Sequence, residues 1–324
     1  MMKRGRFATY AWGVLAYNLA VIIWGAYVRA TSSGDGCGSH WPLCNGEVIP
    51  RAPKIQTLIE FTHRITSGLS LIFVLLLVVW AFRRYAKGHV VRYGAAASLF
   101  FILTEALIGA GLVIFRLVAG NASVMRALYM SLHLSNTFFL LAALTLTAWW
   151  ASGGKSVRVK GQPAFTWALA IGLVGLVALG ISGAVAALGD TLFPARSVAE
   201  GLKQDFSPVA HFLVRLRLWH PLMAILTGLY VIFLAVFVSL GRPSPTTAWL
   251  ARLQGGFFLL QLGIGALNVM LLAPVWMQMV HLLIADLVWI TFVLLSTSAL
   301  TIEAPRLGAV EPREELKAIL ASRL

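Results

Sequence analysis

The sequence predicts an all-α integral membrane protein, with eight transmembrane helices forming two tandem, pseudo-symmetric four-helix bundles and both termini cytoplasmic. Three observations predict it: the composition, eight apolar runs and an internal repeat. The chain has 324 residues, of which 59% are hydrophobic and only 12% charged, whereas soluble domains carry about one quarter charged residues. Apolar surface on that scale has to face lipid. A cytosolic enzyme, a secreted disulfide scaffold and a disordered regulator are thereby excluded. The net charge of +14 does not indicate nucleic acid, because the basic residues fall in short clusters between apolar runs, as in loops that orient membrane helices. The expected partner is the lipid bilayer.

A membrane-crossing helix needs about 20 mainly apolar residues. The first run, 10–28, follows a basic stretch at 1–6 and ends near Val28-Arg29-Ala30, which weakly resembles a signal cleavage site. It is longer than the usual signal core of about 7–15 residues, so it reads as a helix. Runs 65–82, 93–115 and 128–150 complete the first half. Gly153-Gly154 to Pro163 reads as a linker and is followed by runs 165–188, 218–240, 250–272 and 276–300. An even number of spans puts both termini on one side. Sixteen of the 26 basic residues then fall on the side of the termini, which places that side in the cytoplasm and the protein in the cell membrane. The expected organisation is 1–152, a 153–163 cytoplasmic linker, 164–302 and a 303–324 cytoplasmic tail.

The halves repeat. Gly25-Ala26 leads into Gly34-Asp35 as Gly183-Ala184 leads into Gly189-Asp190, and Phe101, Glu105 and Gly109-Ala110 match Phe257, Gln261 and Gly265-Ala266 at an offset of 156. His63 and His220 are offset by 157, and His133 and His281 by 148. Both halves start on the same side, so the repeat is parallel, with its axis along the membrane normal.

Histidines carry the chemical signal. Of seven, His40, His89 and His211 read as solvated loop or interface residues. The other four, His63, His133, His220 and His281, stand at the starts of the even-numbered spans, within about 10 Å of the outer interface at 1.5 Å rise per residue. Ionisable groups inside a bilayer segment are costly and usually functional. Zinc would recruit Cys or carboxylate ligands as well. Haem needs only axial ligands and an apolar pocket, so the residues point to one bis-histidine haem site per half. Arg64 and Arg217 lie beside these histidines and read either as cations for haem propionates or as interfacial residues reaching toward water.

The halves are not equal. Glu60 shares a helix face with His63, whereas the matching position in the second half is Arg217. A carboxylate beside an apolar macrocycle suits proton transfer or stabilisation of a developing cation; the alternative is a membrane-edge partner for Arg64. Glu105 and Gln261 read as helix-packing residues. Cys37 and Cys44, separated by six residues in a loop rich in Gly and Pro, fit no common zinc pattern. They serve as a structural staple or as a reversible redox pair.

Gly25-Ala26-Tyr27-Val28-Arg29, the loop with Cys37 and Trp41-Pro42-Leu43-Cys44-Asn45-Gly46, Glu60-Phe61-Thr62-His63-Arg64 and Trp219-His220-Pro221 together resemble the haem A synthase family, over essentially the whole chain. The resemblance implies oxidation of the C8 methyl of haem O to a formyl group, giving haem A for terminal oxidases. It implies substrate haem between His63 and His133, with Glu60 as the catalytic carboxylate, and a haem b cofactor between His220 and His281. It further implies successive oxidation through an alcohol and a gem-diol, with water as the oxygen source. Expected partners are a haem O synthase and oxidase assembly factors. The cysteine pair matches the variant of the family that carries it in the first half; the corresponding second-half loop, 189–217, has no cysteine. Two other functions fit parts of the pattern. A dihaem b-type cytochrome doing electron transfer only explains the histidines but not Glu60, and a parallel-repeat transporter usually has helices broken near the midplane.

Overall fold

The computed structural model describes residues 5–301. The expected tail 303–324 and the basic residues Lys3 and Arg4 lie outside the described residues. Among those described, the regular structure is helical and eight helical spans are long and apolar enough to cross a membrane. In chain order the helices are α1 (Arg6–Ala30), α2 (Ile55–Arg84), α3 (Val90–Ile114), α4 (Val124–Ala151), α5 (Pro163–Leu192), α6 (Val198–Asp205), α7 (Phe212–Arg217), α8 (Trp219–Gly241), α9 (Pro245–Met270) and α10 (Val275–Thr301). The protein is a multi-pass membrane protein.

All eight expected runs are helical, and three local features refine them. Helix α2 starts ten residues before its apolar run, so His63 lies more than two turns inside it. The sixth span divides into α7 and α8 at Leu218. Pro221 accounts for the break: it has no N–H for the carbonyl of Arg217 four residues back, and its ring crowds that carbonyl. Helix α6 lies in what reads as loop; Ser197 caps it, accepting the Glu200 N–H at 3.2 Å, while Glu200 reaches back to the Arg196 N–H at 3.0 Å. That exchange resembles a capping box.

Among the first four helices, α1 packs on α2 and α4, and α3 packs on the same two. Among the last four long helices, α8 contacts α5 and α9, and α10 contacts the same two. The two groups meet along α1, α4, α5 and α10. Trp289 of α10 donates to the Phe138 carbonyl of α4 at 2.6 Å, and the two rings stack at 4.9 Å. Outward faces carry Leu, Ile, Val and Phe side chains that remain exposed, as a lipid-facing surface requires.

Arg29, at the end of α1, ties the groups together. Its guanidinium donates to the Ala187 carbonyl and Thr191 Oγ1 on α5, and to Gln278 Oε1 on α10, all at 2.8–2.9 Å. Arg29→Ala removes all three bonds and takes from Gln278 Oε1 its guanidinium donor, while Thr191 Oγ1 still donates to the Ala187 carbonyl at 2.8 Å, so we expect stability to fall by about 2–4 kcal/mol. Thermal unfolding in detergent measures it; an unchanged midpoint would show that the seam does not depend on this side chain.

Candidate functional site

Helices α2, α4 and α10, and the α7–α8 span, all begin at the face that carries the 31–54 loop, so their four histidines stand near one end of the molecule. Each imidazole packs against a glycine on a neighbouring helix. A Cβ on Gly25 of α1 would lie 2.8 Å from His63 Cε1, one on Gly183 of α5 would lie 3.0 Å from His220 Cε1, and one on Gly265 of α9 would lie 3.1 Å from His281 Cε1. At Gly109 of α3 the corresponding distance to His133 Nε2 is 3.5 Å, an ordinary contact. The repeated Gly-Ala pairs thus mark notches that admit the rings. Gly25→Leu would push its side chain into the His63 imidazole. If the histidines hold haem, the expected outcome is loss of haem from the first half with the second half still loaded, read from the optical spectrum; an unchanged haem content would rule out the notch as a requirement.

His220 and His281 face each other with ring centroids 6.3 Å apart and planes at 84°. Imidazoles on opposite sides of one metal, each at about 2 Å from metal to nitrogen, would have centroids about 6 Å apart. His220 Nδ1 lies 2.9 Å from Ser182 Oγ, and that hydroxyl donates to the Leu179 carbonyl. Nδ1–H is therefore the donor, and Nε2 keeps its lone pair. The buried Nδ1 atoms of His63 and His281 have no hydrogen-bond partner. Among the described residues, no group of three or more His, Cys, Asp or Glu is placed to hold a bare metal ion. Paired imidazoles without a third ligand in apolar surroundings fit the axial requirement of haem.

Glu60 lies under the 31–54 loop and is only 3% exposed. Its Oε2 accepts the Cys37 N–H at 2.8 Å, and its Oε1 accepts Arg64 Nη2 at 2.6 Å. Arg64 Nη1 also donates to the carbonyls of His40 and Leu43 at 2.6 Å, so one guanidinium joins the carboxylate to the loop. Cys37 and Cys44 are disulfide-bonded. Gly36 lets the loop sit on α2: a Cβ there would lie 2.5 Å from the Gln56 backbone, and the Gly36 carbonyl accepts Thr57 Oγ1 at 2.7 Å. The disulfide loop and Glu60 form one unit.

In the second half, Arg217 sits between Asp190 at 3.0 Å and Asp205 at 2.7 Å. Charge is thus inverted at the position matching Glu60, where Arg217 stands at the end of α7, while Asp190 keeps the acid of the matching Asp35. Both Arg64 and Arg217 already have carboxylate partners. His89 and His211 are helix N-caps, accepting from the N–H groups of Val91 and Leu213. Sequence reasoning missed two further features: Arg29, described above, and the contact of Glu105 Oε1 with His133 Nδ1 at 2.7 Å.

A family model described as cytochrome oxidase assembly protein matches residues 8–293. The chain belongs to that family. Among its relatives, a Thermus thermophilus protein named protoheme IX farnesyltransferase is 57% identical over 309 residues, covering 95% of this chain and 51% of that protein. The chain therefore spans about half the length of that relative. A protein named heme A synthase from Halalkalibacterium halodurans is 46% identical over 95 residues, covering 29% of this chain and 32% of its own. Another heme A synthase, from Exiguobacterium sibiricum, is 31% identical over 156 residues, covering 48% of this chain and 50% of its own. Among cytochrome oxidase assembly proteins, then, this chain is similar both to haem A synthases and to part of a longer protein named for farnesyl transfer.

Proposed function

We propose that this family member is a haem A synthase, an oxidoreductase that converts the C8 methyl of haem O to a formyl group. The observation that carries the reading is the inequality of the two halves next to their first histidines: beside His63 the buried carboxylate of Glu60 is fastened beneath a disulfide loop, whereas Arg217 holds the matching place before His220. In this reading residues 1–152 form the catalytic half and residues 164–302 the cofactor half, joined by the 153–163 linker, with the histidine ends at the outer face of the cell membrane. His63 and His133 hold the substrate haem by its iron, and His220 and His281 hold haem b.

Haem b, if held by His220 and His281, would supply a one-electron acceptor. The chain's own residues do the rest. The histidines fix the macrocycle, and Arg64 and the Cys37 N–H hold the Glu60 carboxylate in one position. The methyl carbon is oxidised in two two-electron steps, through an alcohol and a gem-diol that loses water. With a net one water consumed, four protons and four electrons leave; the electrons pass on one at a time to an external electron acceptor, and Glu60 takes up protons released at that carbon. Arg64, next to His63 in the chain, and Arg217, three residues before His220, serve the propionates in addition to their carboxylate partners.

Farnesyl transfer we assign to the part of the longer Thermus protein outside the match, because nothing in the paired histidines and Glu60 serves prenyl transfer. A separate haem O synthase and oxidase assembly factors are the proposed partners of this chain. Purified protein in lipid, given haem O and an electron acceptor, should form haem A. Given haem b and farnesyl diphosphate, it should form no haem O. Failure of the first conversion with both haem sites filled would favour the electron-transfer cytochrome.

A further inference from the structure

Glu105, in the middle of α3, is held by its neighbours on α4. Asn136 Nδ2 donates to its Oε2 at 2.6 Å, and Thr137 Oγ1 to its Oε1 at 2.5 Å. Asn136 is itself fixed, donating to the Phe101 carbonyl at 2.8 Å and accepting Thr104 Oγ1 at 2.7 Å. The carboxylate meets His133 Nδ1 at 2.7 Å. A carboxylate offers no proton, so Nδ1–H donates to it and the lone pair stays on Nε2, the nitrogen facing away.

The second half lacks this arrangement. Gln261 replaces Glu105, while Ile284 and Ala285 stand at the offsets of Asn136 and Thr137. Gln261 Nε2 lies 3.2 Å from His281 Nε2, on the other side of the ring, and His281 Nδ1 has no hydrogen-bond partner. The histidine fixed through Nδ1 is instead His220, by the neutral hydroxyl of Ser182. In the first half Trp24 occupies the position matching Ser182 and donates to the Ile59 carbonyl. Each half thus secures one imidazole, but one does so with an anion and the other with a neutral group.

We propose that Glu105 is a positioning residue that presents Nε2 of His133 to the substrate haem iron and gives that site the lower reduction potential of the two. The inference rests on the reading of His63 and His133 as axial ligands. An anionic acceptor on the far nitrogen makes an imidazole a stronger donor, and stronger donation stabilises the ferric state. Electrons released in the first half then move energetically downhill toward His220 and His281, the direction the proposed reaction needs. Glu105 acts through His133 and touches no reacting atom.

The test is a potentiometric titration, followed optically and by electron paramagnetic resonance, of full-length protein with both haems bound. Signals are assigned by the loss each shows in His133→Ala and His281→Ala. In Glu105→Gln the ferrous-to-ferric ratio of the first-half haem should rise at least tenfold at a fixed potential, 59 mV for one electron. The second-half haem should not move and reports that the fold is intact. Glu105→Asp keeps the charge and should recover most of the shift. An unmoved first-half potential in Glu105→Gln, an equal shift at both sites, or an Asp variant indistinguishable from Gln overturns the proposal. If Glu105→Gln loses its first-half haem, Glu105→Asp decides: retention near the wild-type potential supports the role, and loss there too overturns it. If His133→Ala leaves both haem signals unchanged, the ligand assignment fails instead, whatever Glu105 does.

Discussion

Glu60→Gln should leave a folded protein with haem in both halves that oxidises haem O about 10²–10⁴-fold more slowly, the range expected for loss of a positioned proton acceptor. The substitution keeps the shape of the side chain, so the loop stays over α2. What changes is the pairing. Glu60 accepts from both Cys37 and Arg64, whereas an amide has one acceptor oxygen, and its NH₂ must face a donor. That mismatch costs about 1–3 kcal/mol, read as a lower unfolding midpoint. Rate and stability must therefore be measured on the same preparation. Full conversion to haem A by well-folded variant protein would remove Glu60 from the mechanism and reduce it to a loop anchor.

His281→Ala should abolish turnover by a different route. His281 is one of two rings 6.3 Å apart, and in the proposed reading its removal leaves a single axial ligand for haem b. The second half should lose its six-coordinate haem spectrum, while the first half, with His63 and His133 untouched, keeps its haem. Substrate bound in the first half then has no internal electron acceptor, and conversion should stop although Glu60 remains in place. Comparison with Glu60→Gln separates the two halves: one variant binds both haems and reacts slowly, the other binds one and does not react. Normal turnover by His281→Ala would contradict the division of labour between them.

The parts of this account legible in the sequence are those that depend on composition and local spacing. Eight apolar runs become eight helical spans because a lipid-facing helix needs apolar residues all round. The four histidines stand out because no apolar run tolerates an imidazole without a purpose. The break at Leu218 and helix α6 were not among the expected elements, although Pro221, which cannot continue a helix through Arg217, and the Ser197 and Glu200 spacing mark them.

Other features depend on register between helices, which spacing along the chain does not reveal. Glu105 meets His133 across two helices and a loop, and its residue type alone suggested only packing. Arg29 reaches Gln278 through a separation of 249 residues. The Cys37 N–H on Glu60 depends on how closely the loop can approach α2, a matter decided by Gly36. The repeat was a partial guide: it predicted that the halves match, and the chemistry lies where they do not.

The most direct test of the central claim is the identity of the haems the protein carries. The chain would be expressed in a host that makes haem O, purified in detergent, and its extracted haems separated by chromatography and identified by mass spectrometry. Two unequal sites predict haem b together with haem O, its alcohol or haem A. Haem b alone, with haem O available, would contradict a substrate site in the first half and leave an electron-transfer cytochrome.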